Sequence, residues 1–257
     1  WKCIKSLDIL YFMKTVCPVC GKEGYLSVER RGRQKYTYII HIEGGRRYKH
    51  YAGRDGYSLV EEIARILRDT YAQHTVRKII RYAGGDYKIA SLLLPRINSL
   101  CRYRHCTFVE VFGGSGHMTQ TVDRSIFTNI IYNDIDNKIT TLYRAIRDDP
   151  EKMTALLMFL PHSRQIRRIL EELMLKSSEL AALELAAIVF YLLNSSFNGM
   201  LSKSGFAYSK HPERNEAKAT FRKVLALVSI ASRWHDVTIE NLDFREVIRR
   251  YDRETTV

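Results

Sequence analysis

The chain has 257 residues, of which 46% are hydrophobic, so it can bury a sizeable core and is not a disordered segment. Its 41 lysines and arginines exceed its 28 aspartates and glutamates, and the net charge of +13 favours a polyanionic partner, either nucleic acid or an anionic membrane surface. No apolar run reaches the ~20 residues that a membrane-spanning helix needs. The best candidate, residues 180–193, is shorter, contains Glu184 and is expected to be a buried helix.

Residues 1–12 are an uncertain leader that lacks both an initiator methionine and a signal-peptide pattern, and Met13 is the first candidate start. Without an export signal, we expect a cytoplasmic protein with reduced cysteines. Cys3, Cys101 and Cys106 have no partner at a characteristic spacing, so they are expected to be small apolar side chains.

Residues 13–56 form a unit rich in glycine, tyrosine and arginine, whose alternating runs and glycine turns predict a small β-rich module. Cys17-Pro18-Val19-Cys20 is similar to a zinc knuckle, in which a tight turn lets two thiolates face one metal ion. His41 and His50 are the candidates for the other two ligands, which together predict a zinc-ribbon-like fold with structural zinc. The eight residues between them exceed the usual His-x3–5-His spacing, so a hairpin module that binds no metal stays open.

The cations of this module are interleaved with tyrosines. Such a surface is typical of a strand pair that follows a phosphate backbone, and equally of a solvated charged face. A linking helix is predicted next, over residues 57–77, because Ser58 and Glu61 form a capping box and apolar residues follow at helical spacing.

Strands and helices alternate over residues 78–257, which predicts one α/β domain with a Rossmann-like parallel sheet. Residues 107–112 and 129–133 are apolar without alternation, as expected of strands buried on both faces, and 237–240 and 255–257 are further strand signals. Helices are predicted from the glycine turn to Pro95, over 136–149, and over 243–252 with Phe244, Val247, Ile248 and Tyr251 inward. Residues from about 150 to 235 are expected to form a helical insertion with a long polar loop.

The glycine-rich stretch FVEVFGGSG at 108–116 predicts a ligand loop after a strand. It is not a P-loop, because Gly116 is followed by His117 rather than Lys-Ser/Thr. It matches a dinucleotide fingerprint only in part, since Thr119 stands at the third glycine position. Asp134, after the second strand, can accept hydrogen bonds from ribose hydroxyls, or it can cap the helix that follows. Together these features indicate an adenosyl ligand without selecting NAD.

Five motifs, in this order, resemble the Dam-like (D12 class) DNA adenine-N6 methyltransferases over about residues 78–257. They are Tyr82-Ala83-Gly84-Gly85, the glycine loop, Asn133-Asp134-Ile135-Asp136, Asn194-Ser195-Ser196-Phe197-Asn198-Gly199 and Asn241-Leu242-Asp243-Phe244. The resemblance implies methyl transfer from S-adenosylmethionine to adenine N6 in double-stranded DNA, with no membrane partner. A monomer is compatible with it.

The resemblance also implies roles for individual residues. The amino-acid end of the cofactor would contact Glu110, Phe112, Gly113, Gly114 and Gly116, and Asp134 would hold the ribose. Asp243 would bind the adenine amino group, with Phe244 beside the ring, and Ile135 is a further expected cofactor contact. Tyr82, Gly84 and Gly85 would close the other side, and Asn194, Phe197, Asn198 and Lys203 would face DNA. Phe112 and Phe244 as core residues, and Asp243 as a helix cap, are the structural alternatives.

Two departures from the family pattern stand out. The place of the lysine that commonly follows the Gly-Gly pair is occupied by Asp86, with Lys88 two residues later. The sequence contains no Pro-Pro, so the Asp-Pro-Pro-Tyr catalytic signature would fall just after Val257, at the end of the strand that begins at Thr255. A fragment of an enzyme is therefore expected, and an inactive nucleic-acid-binding relative is the alternative. An RNA or protein methyltransferase and an NAD(P)-dependent oxidoreductase are the remaining ones.

Overall fold

The computed structural model describes residues 14–17, 19–31, 34–54, 78–85, 87–211 and 213–257. The predicted linking helix at 57–77 and the residue Asp86 lie outside this part of the chain. The described residues form two separate sheets, one antiparallel and one parallel.

The antiparallel sheet has four strands in chain order: β1 (Lys14–Val16), β2 (Glu23–Arg31), β3 (Gln34–Glu43) and β4 (Arg46–Arg54). The β3–β4 turn consists of Gly44 and Gly45, both with positive φ, and such a two-residue turn matches the twist of the strands that it joins. This sheet is the β-rich structure that the alternating pattern predicted.

The parallel sheet contains β5 (Cys106–Glu110), β6 (Phe127–Asn133) and β7 (Val237–Glu240), in that order. Thr255–Val257 extends it on the free side of β5, since Thr107 N–H donates to the Thr255 carbonyl at 2.8 Å and Val109 N–H to the Val257 carbonyl at 3.0 Å. The predicted α/β fold with a parallel sheet is confirmed.

Helices cover this sheet and build the insertion. They are α1 (Tyr87–Leu100), α2 (His117–Thr121), α3 (Asn137–Asp148), α4 (Pro150–Met158), α5 (Arg164–Met174), α6 (Ala182–Asn194), α7 (Glu216–Ala231) and α8 (Phe244–Tyr251). Helix α6 is buried from Leu185 to Asn194 because it packs against α3, α4 and α5, which explains its apolar sequence. Among the described helices, none is long and apolar enough to cross a membrane.

Three expectations about this domain are wrong. Helix α1 continues through Pro95 to Leu100, so the proline costs one backbone hydrogen bond without ending the helix. In α8, Val247 is buried, but Phe244 and Ile248 are 37% and 47% exposed rather than inward.

The third correction concerns the cysteines. Cys101 and Cys106 form a disulfide with a Cα–Cα distance of 5.9 Å instead of remaining unpaired apolar side chains. The chain turns back between the end of α1 and the start of β5, and this brings the two residues together.

Candidate functional site

The glycine loop connects β5 to α2 at the carboxyl edge of the parallel sheet. On one side of β5 the sheet continues with β6 and β7, and on the other side lies Thr255–Val257. The loop therefore stands where the strand order reverses, which is the usual ligand position in open α/β sheets.

Three aromatic side chains support the loop, and we call Tyr132, Tyr143 and Trp234 the aromatic floor. The hydroxyl of Tyr132 donates to the Gly114 carbonyl at 2.9 Å, and that of Tyr143 donates to the Ser115 carbonyl. Trp234 stacks on Tyr143 with ring centroids 4.1 Å apart. Burial raises the pKa of both tyrosines well above the ordinary value, so both remain protonated donors. The sequence motifs gave no signal for this floor, because its residues come from a strand, a helix and a loop.

The Asp134 carboxylate holds the loop from the side. One oxygen accepts from the Gly114 amide and the other from the Asp136 amide, both at 2.8 Å. Helix α3 is capped by Asp136, which accepts from the Lys138 amide, so the capping role considered for Asp134 is wrong. Each carboxylate oxygen has a second lone pair, so Asp134 can still accept a hydrogen bond from a ligand.

Asn133 belongs to the third family motif and has a structural role that the sequence did not indicate. Its buried amide donates to the carbonyls of Val111 and Leu242 at 2.9 and 3.1 Å and accepts from the Leu242 amide at 2.9 Å. It thereby joins the ends of β5, β6 and β7. Asn241 adds a second link by donating to the Asp134 carbonyl at 2.7 Å.

Glu110 ends β5 with its carboxylate facing the start of α2. It accepts from the Thr119 amide at 2.8 Å and from the Thr119 hydroxyl at 2.5 Å. Burial raises the pKa of Glu110 to about 7, although the hydrogen bonds from Thr119 oppose the shift. A carboxyl group that titrates near neutral pH can become an anion when a cationic ligand group arrives.

Apolar side chains are exposed beside the loop. Phe112 and Ile135 are 77% and 71% exposed, and the rings of Phe112 and Phe244 lie 5.7 Å apart. The alternative that the two phenylalanines belong to the core is therefore wrong. Asp243 caps α8 by accepting from the Arg245 amide at 2.9 Å, which confirms the structural role considered for it.

A cavity of about 230 Å³ opens between the glycine loop and the segment before α1. It collects seven of the predicted cofactor residues: Tyr82, Gly84, Gly85, Glu110, Phe112, Gly113 and Gly114. His117 and Met118, which the sequence did not single out, also line it. Gly116, Asp134, Ile135, Asp243 and Phe244 lie outside its lining.

The polar loop after α6 folds as a hairpin. The Phe197 amide donates to the Gly205 carbonyl at 2.9 Å, and the Ala207 amide donates to the Ser195 carbonyl at 2.7 Å. Phe197 is 70% exposed, and Asn198 and Lys203 are also exposed. These three residues are available to a macromolecular partner.

Asn194 is not available, and its expected contact with DNA is wrong. Its side chain is fully buried, donates to the carbonyls of Ile79 and Phe190, and accepts from Lys223 Nζ at 2.7 Å. Burial lowers the pKa of Lys223 to about 7, and the nearby Arg81 and Lys78 lower it further. Asn194 therefore anchors the base of the hairpin.

The hairpin tip rests on the cavity wall. Gly199 has φ +67°, and a Cβ atom built there would lie 2.6 Å from both the Arg81 carbonyl carbon and the Tyr82 nitrogen. The Tyr82 ring in turn faces Gly114, where a Cβ atom would lie 2.8 Å from it. Tyr82 is thus packed between the hairpin and the glycine loop.

The N-terminal sheet gathers a second cluster. The donor atoms of Cys17, Cys20, His41 and His50 all lie within 4.8 Å of one another. Cys17 Sγ is 3.2 Å from His50 Nδ1, and Cys20 Sγ is 3.6 Å from His41 Nε2. Ligand atoms around a tetrahedral zinc ion lie about 3.5 Å apart, so these distances fit such a site.

Strand pairing explains the unusual histidine spacing. His50 is opposite Ile39 across the β3–β4 pair, so it shares a face with His41 two residues further along. His41 Nδ1 lies 3.0 Å from the Glu23 carbonyl, a contact that leaves Nε2 facing Cys20. Burial alone would raise the pKa of Cys17, but the backbone amides of Cys20 and Val19 and the two histidines lower it to about 6.

An α/β domain with a glycine loop, an acid after the second strand and a cavity at the switch point belongs to the nucleotide-ligand class. Residues 82–257 match the model of the D12 class N6 adenine-specific DNA methyltransferases. The match covers more than half of the chain, so the chain belongs to this family of enzymes, which methylate adenine in DNA with S-adenosylmethionine as methyl donor. No curated protein matches it significantly.

Proposed function

We propose that the 230 Å³ cavity holds the amino-acid end of S-adenosylmethionine. The observation that carries this proposal is the position of the glycine loop at the switch point, fixed there by the bond from the Gly114 amide to Asp134. The Glu110 carboxylate lies at the cavity wall and suits the ammonium group of the ligand, whose positive charge favours the ionised form. Gly113 and Gly114 line the same cavity, and the absence of their side chains leaves room for the Tyr132 and Tyr82 rings that shape the loop.

The ribose and adenine extend from the cavity along the carboxyl edge of the sheet. The free lone pairs of Asp134 accept from the ribose hydroxyls. The exposed side chains of Phe112, Ile135 and Phe244 cover the adenine ring, and Asp243 accepts from its amino group. Exposed apolar side chains grouped beside a cavity are typical of a ligand-binding groove, which supports this assignment.

Tyr82, Gly84 and Gly85 line the same cavity as Glu110. An aromatic face attracts a sulfonium cation by its quadrupole, so Tyr82 would orient the charged centre of the ligand. When bound, S-adenosylmethionine supplies an electrophilic methyl group. The contribution of these residues is to hold it in one position and to exclude water from it.

Double-stranded DNA is the proposed form of the substrate. The exposed Phe197, Asn198 and Lys203 lie at the hairpin tip, next to the segment that closes the cavity. Enzymes that modify a base remove it from the duplex, and an exposed aromatic side chain can occupy or widen the gap. With DNA as substrate, we infer a cytoplasmic location, where a disulfide such as Cys101–Cys106 is uncommon.

We also propose a structural zinc ion in the N-terminal sheet. Two thiolates and two imidazoles form a donor set that zinc prefers, and four protein ligands leave no open position for chemistry. The ion would join the β1–β2 turn to β3 and β4.

Binding of the ligand tests the cofactor proposal without relying on turnover. S-adenosylmethionine and S-adenosylhomocysteine should raise the melting temperature of the chain in a concentration-dependent way, because both bind only the folded state. Stabilisation by NAD instead would refute the assignment. Asp243→Asn should weaken binding of both adenosyl ligands, since the one acceptor oxygen of the amide caps α8 at the Arg245 amide and its NH2 group would face the adenine amino group.

A further inference from the structure

The positive charge of the chain is concentrated in the N-terminal sheet. Residues 14–54 contain ten lysines and arginines against three glutamates, so this sixth of the sequence carries +7 of the net charge of +13. Such a concentration on a small sheet exceeds what solubility requires and favours a polyanion as partner.

One face of this sheet combines cations with aromatic rings. Glu29 is opposite Tyr36 across β2–β3, and Tyr38 is opposite Tyr51 across β3–β4, so these side chains share a face. The ring of Tyr51 lies 6.3 Å from that of Tyr36 and 5.7 Å from that of Tyr38. We call this group, with Lys49 and Arg31, the tyrosine patch.

The cations lie directly over the rings. Lys49 Nζ is 4.3 Å from the centre of the Tyr38 ring, and the Arg31 guanidinium is 5.6 Å from that of Tyr36. Glu29 is ion-paired with both cations. Exposed ion pairs of this kind contribute little, so a phosphate can replace the carboxylate at low cost.

The combination of cations with aromatic rings distinguishes between the possible polyanionic partners. A duplex offers phosphates but keeps its bases stacked inside, and an acidic protein needs no row of three aromatic rings. Unpaired bases stack on aromatic side chains while lysine and arginine hold the backbone, which is the usual form of a single-strand site. Tyr51 is half exposed, which leaves its ring accessible to a base.

We propose that the tyrosine patch binds single-stranded DNA, with Tyr36, Tyr38 and Tyr51 stacking on bases and Lys49 and Arg31 contacting phosphates. This second DNA site lies on the N-terminal sheet and does not use the methyl-donor cavity. It extends the DNA function proposed for the family domain to unpaired strands.

Oligothymidylate provides a test that is independent of methyl transfer, because it contains no adenine. Its binding to the full chain is measured by fluorescence anisotropy without S-adenosylmethionine, with a labelled strand of about 16 nucleotides. Tyr51→Ala should weaken binding about 5- to 150-fold, the range expected for the loss of one stacked base. Tyr51→Phe should stay within about twofold of the unaltered chain, since the phenyl ring still stacks.

Matched variants separate stacking from charge and from damage to the fold. Tyr103→Ala removes a similarly exposed tyrosine outside the patch and should leave binding unchanged. Lys49→Ala should reduce the slope of log affinity against log salt by about 0.7. Tyr36→Ala repeats the Tyr51 test at a second position, and each variant is compared at matched melting temperature.

Two results would overturn the proposal. One is oligothymidylate binding that neither Tyr51→Ala nor Tyr36→Ala weakens. The other is an equal loss of affinity for a duplex of the same length, which would make the patch a phosphate contact only. Failure of methylation alone would count against the proposed function of the family domain and would leave this measurement untouched.

Discussion

Gly199 at the tip of the hairpin is in van der Waals contact with the backbone of Tyr82 in the cavity wall. The hairpin that carries the proposed DNA contacts is therefore packed directly against Tyr82, a proposed cofactor contact. The buried Asn194 fixes the base of the same hairpin by its bond to the Ile79 carbonyl, three residues before Tyr82 lines the cavity.

Substitution of Gly199 should disturb the cofactor site from outside it. Gly199→Ala places a methyl group against the Tyr82 backbone and strains a positive φ angle, so Tyr82 must shift. We expect about a tenfold loss of S-adenosylmethionine affinity by calorimetry, equivalent to roughly 1.4 kcal/mol. Gly205→Ala in the same hairpin meets open space and serves as control. Equal affinities of the two variants for S-adenosylmethionine would refute the coupling between the hairpin and the cofactor site.

Glu110 should make stability depend on pH. Its pKa rises from the ordinary 4.5 to about 7 in the folded chain, so the folded state holds an extra proton between these values. The free energy of unfolding should therefore fall by up to about 3 kcal/mol as pH rises from about 4.5 to about 7. It should level off above that range.

Glu110→Gln tests this effect, because the amide does not titrate. In urea titrations, the unfolding free energy of Glu110→Gln should rise relative to that of the unaltered chain from pH 5 to pH 7. Groups that both proteins share, such as Lys223, cancel in the comparison. Glu172→Gln at an exposed position of α5 is the control, and a difference that does not change with pH would contradict the assignment.

The Cys/His cluster should contain about one zinc ion per chain. Elemental analysis should find no bound zinc in the variants Cys17→Ser and His50→Ala, because three ligands hold zinc far more weakly than four. His211→Ala changes an exposed histidine outside the cluster and should leave the zinc content as it was. A metal-free protein that melts at the same temperature as the zinc-loaded form would argue against a structural role.

The exposed side chain of Phe112 should contribute more to ligand binding than to the stability of the fold. Phe112→Ala removes a side chain that is 77% exposed, so the free energy of unfolding should change by less than about 0.5 kcal/mol. Affinity for S-adenosylhomocysteine should fall about three- to tenfold from the loss of stacking on adenine. Leu175→Ala, at an even more exposed position, should change neither quantity.

The disulfide should be detectable in the native chain. Peptide mapping after denaturation with a zinc chelator and alkylation without reductant should find Cys17 and Cys20 modified and Cys101 and Cys106 linked. The paired Cys101→Ala and Cys106→Ala variant should lose about 2 kcal/mol of unfolding free energy, as expected for a short closed loop. Alkylation of both residues would show that they are thiols.

The sequence predicted the order of the elements well, since apolar runs and glycine turns mark strands and loops locally. It also predicted the cluster of Cys17, Cys20, His41 and His50, although the histidine spacing made sense only once β3 and β4 were paired. Asn194 was misassigned because a motif does not reveal which of its residues point inward. The Cys101–Cys106 disulfide and the roles of Asn133 and Trp234 depend on three-dimensional proximity, which no local pattern records.

The two hydrogen bonds that Asp134 accepts from backbone amides give its carboxylate a structural role in addition to its proposed role in ligand binding. An Asp134→Asn variant would turn one acceptor into a donor facing either the Gly114 or the Asp136 amide, so repulsion would loosen the loop even before any ligand arrives. Substitution of Asp134 is thus opposed for two reasons, namely the ribose that it is proposed to hold and the loop that it shapes. The conformation of the loop therefore depends on an acid at this point of the sheet whether or not a ligand is bound.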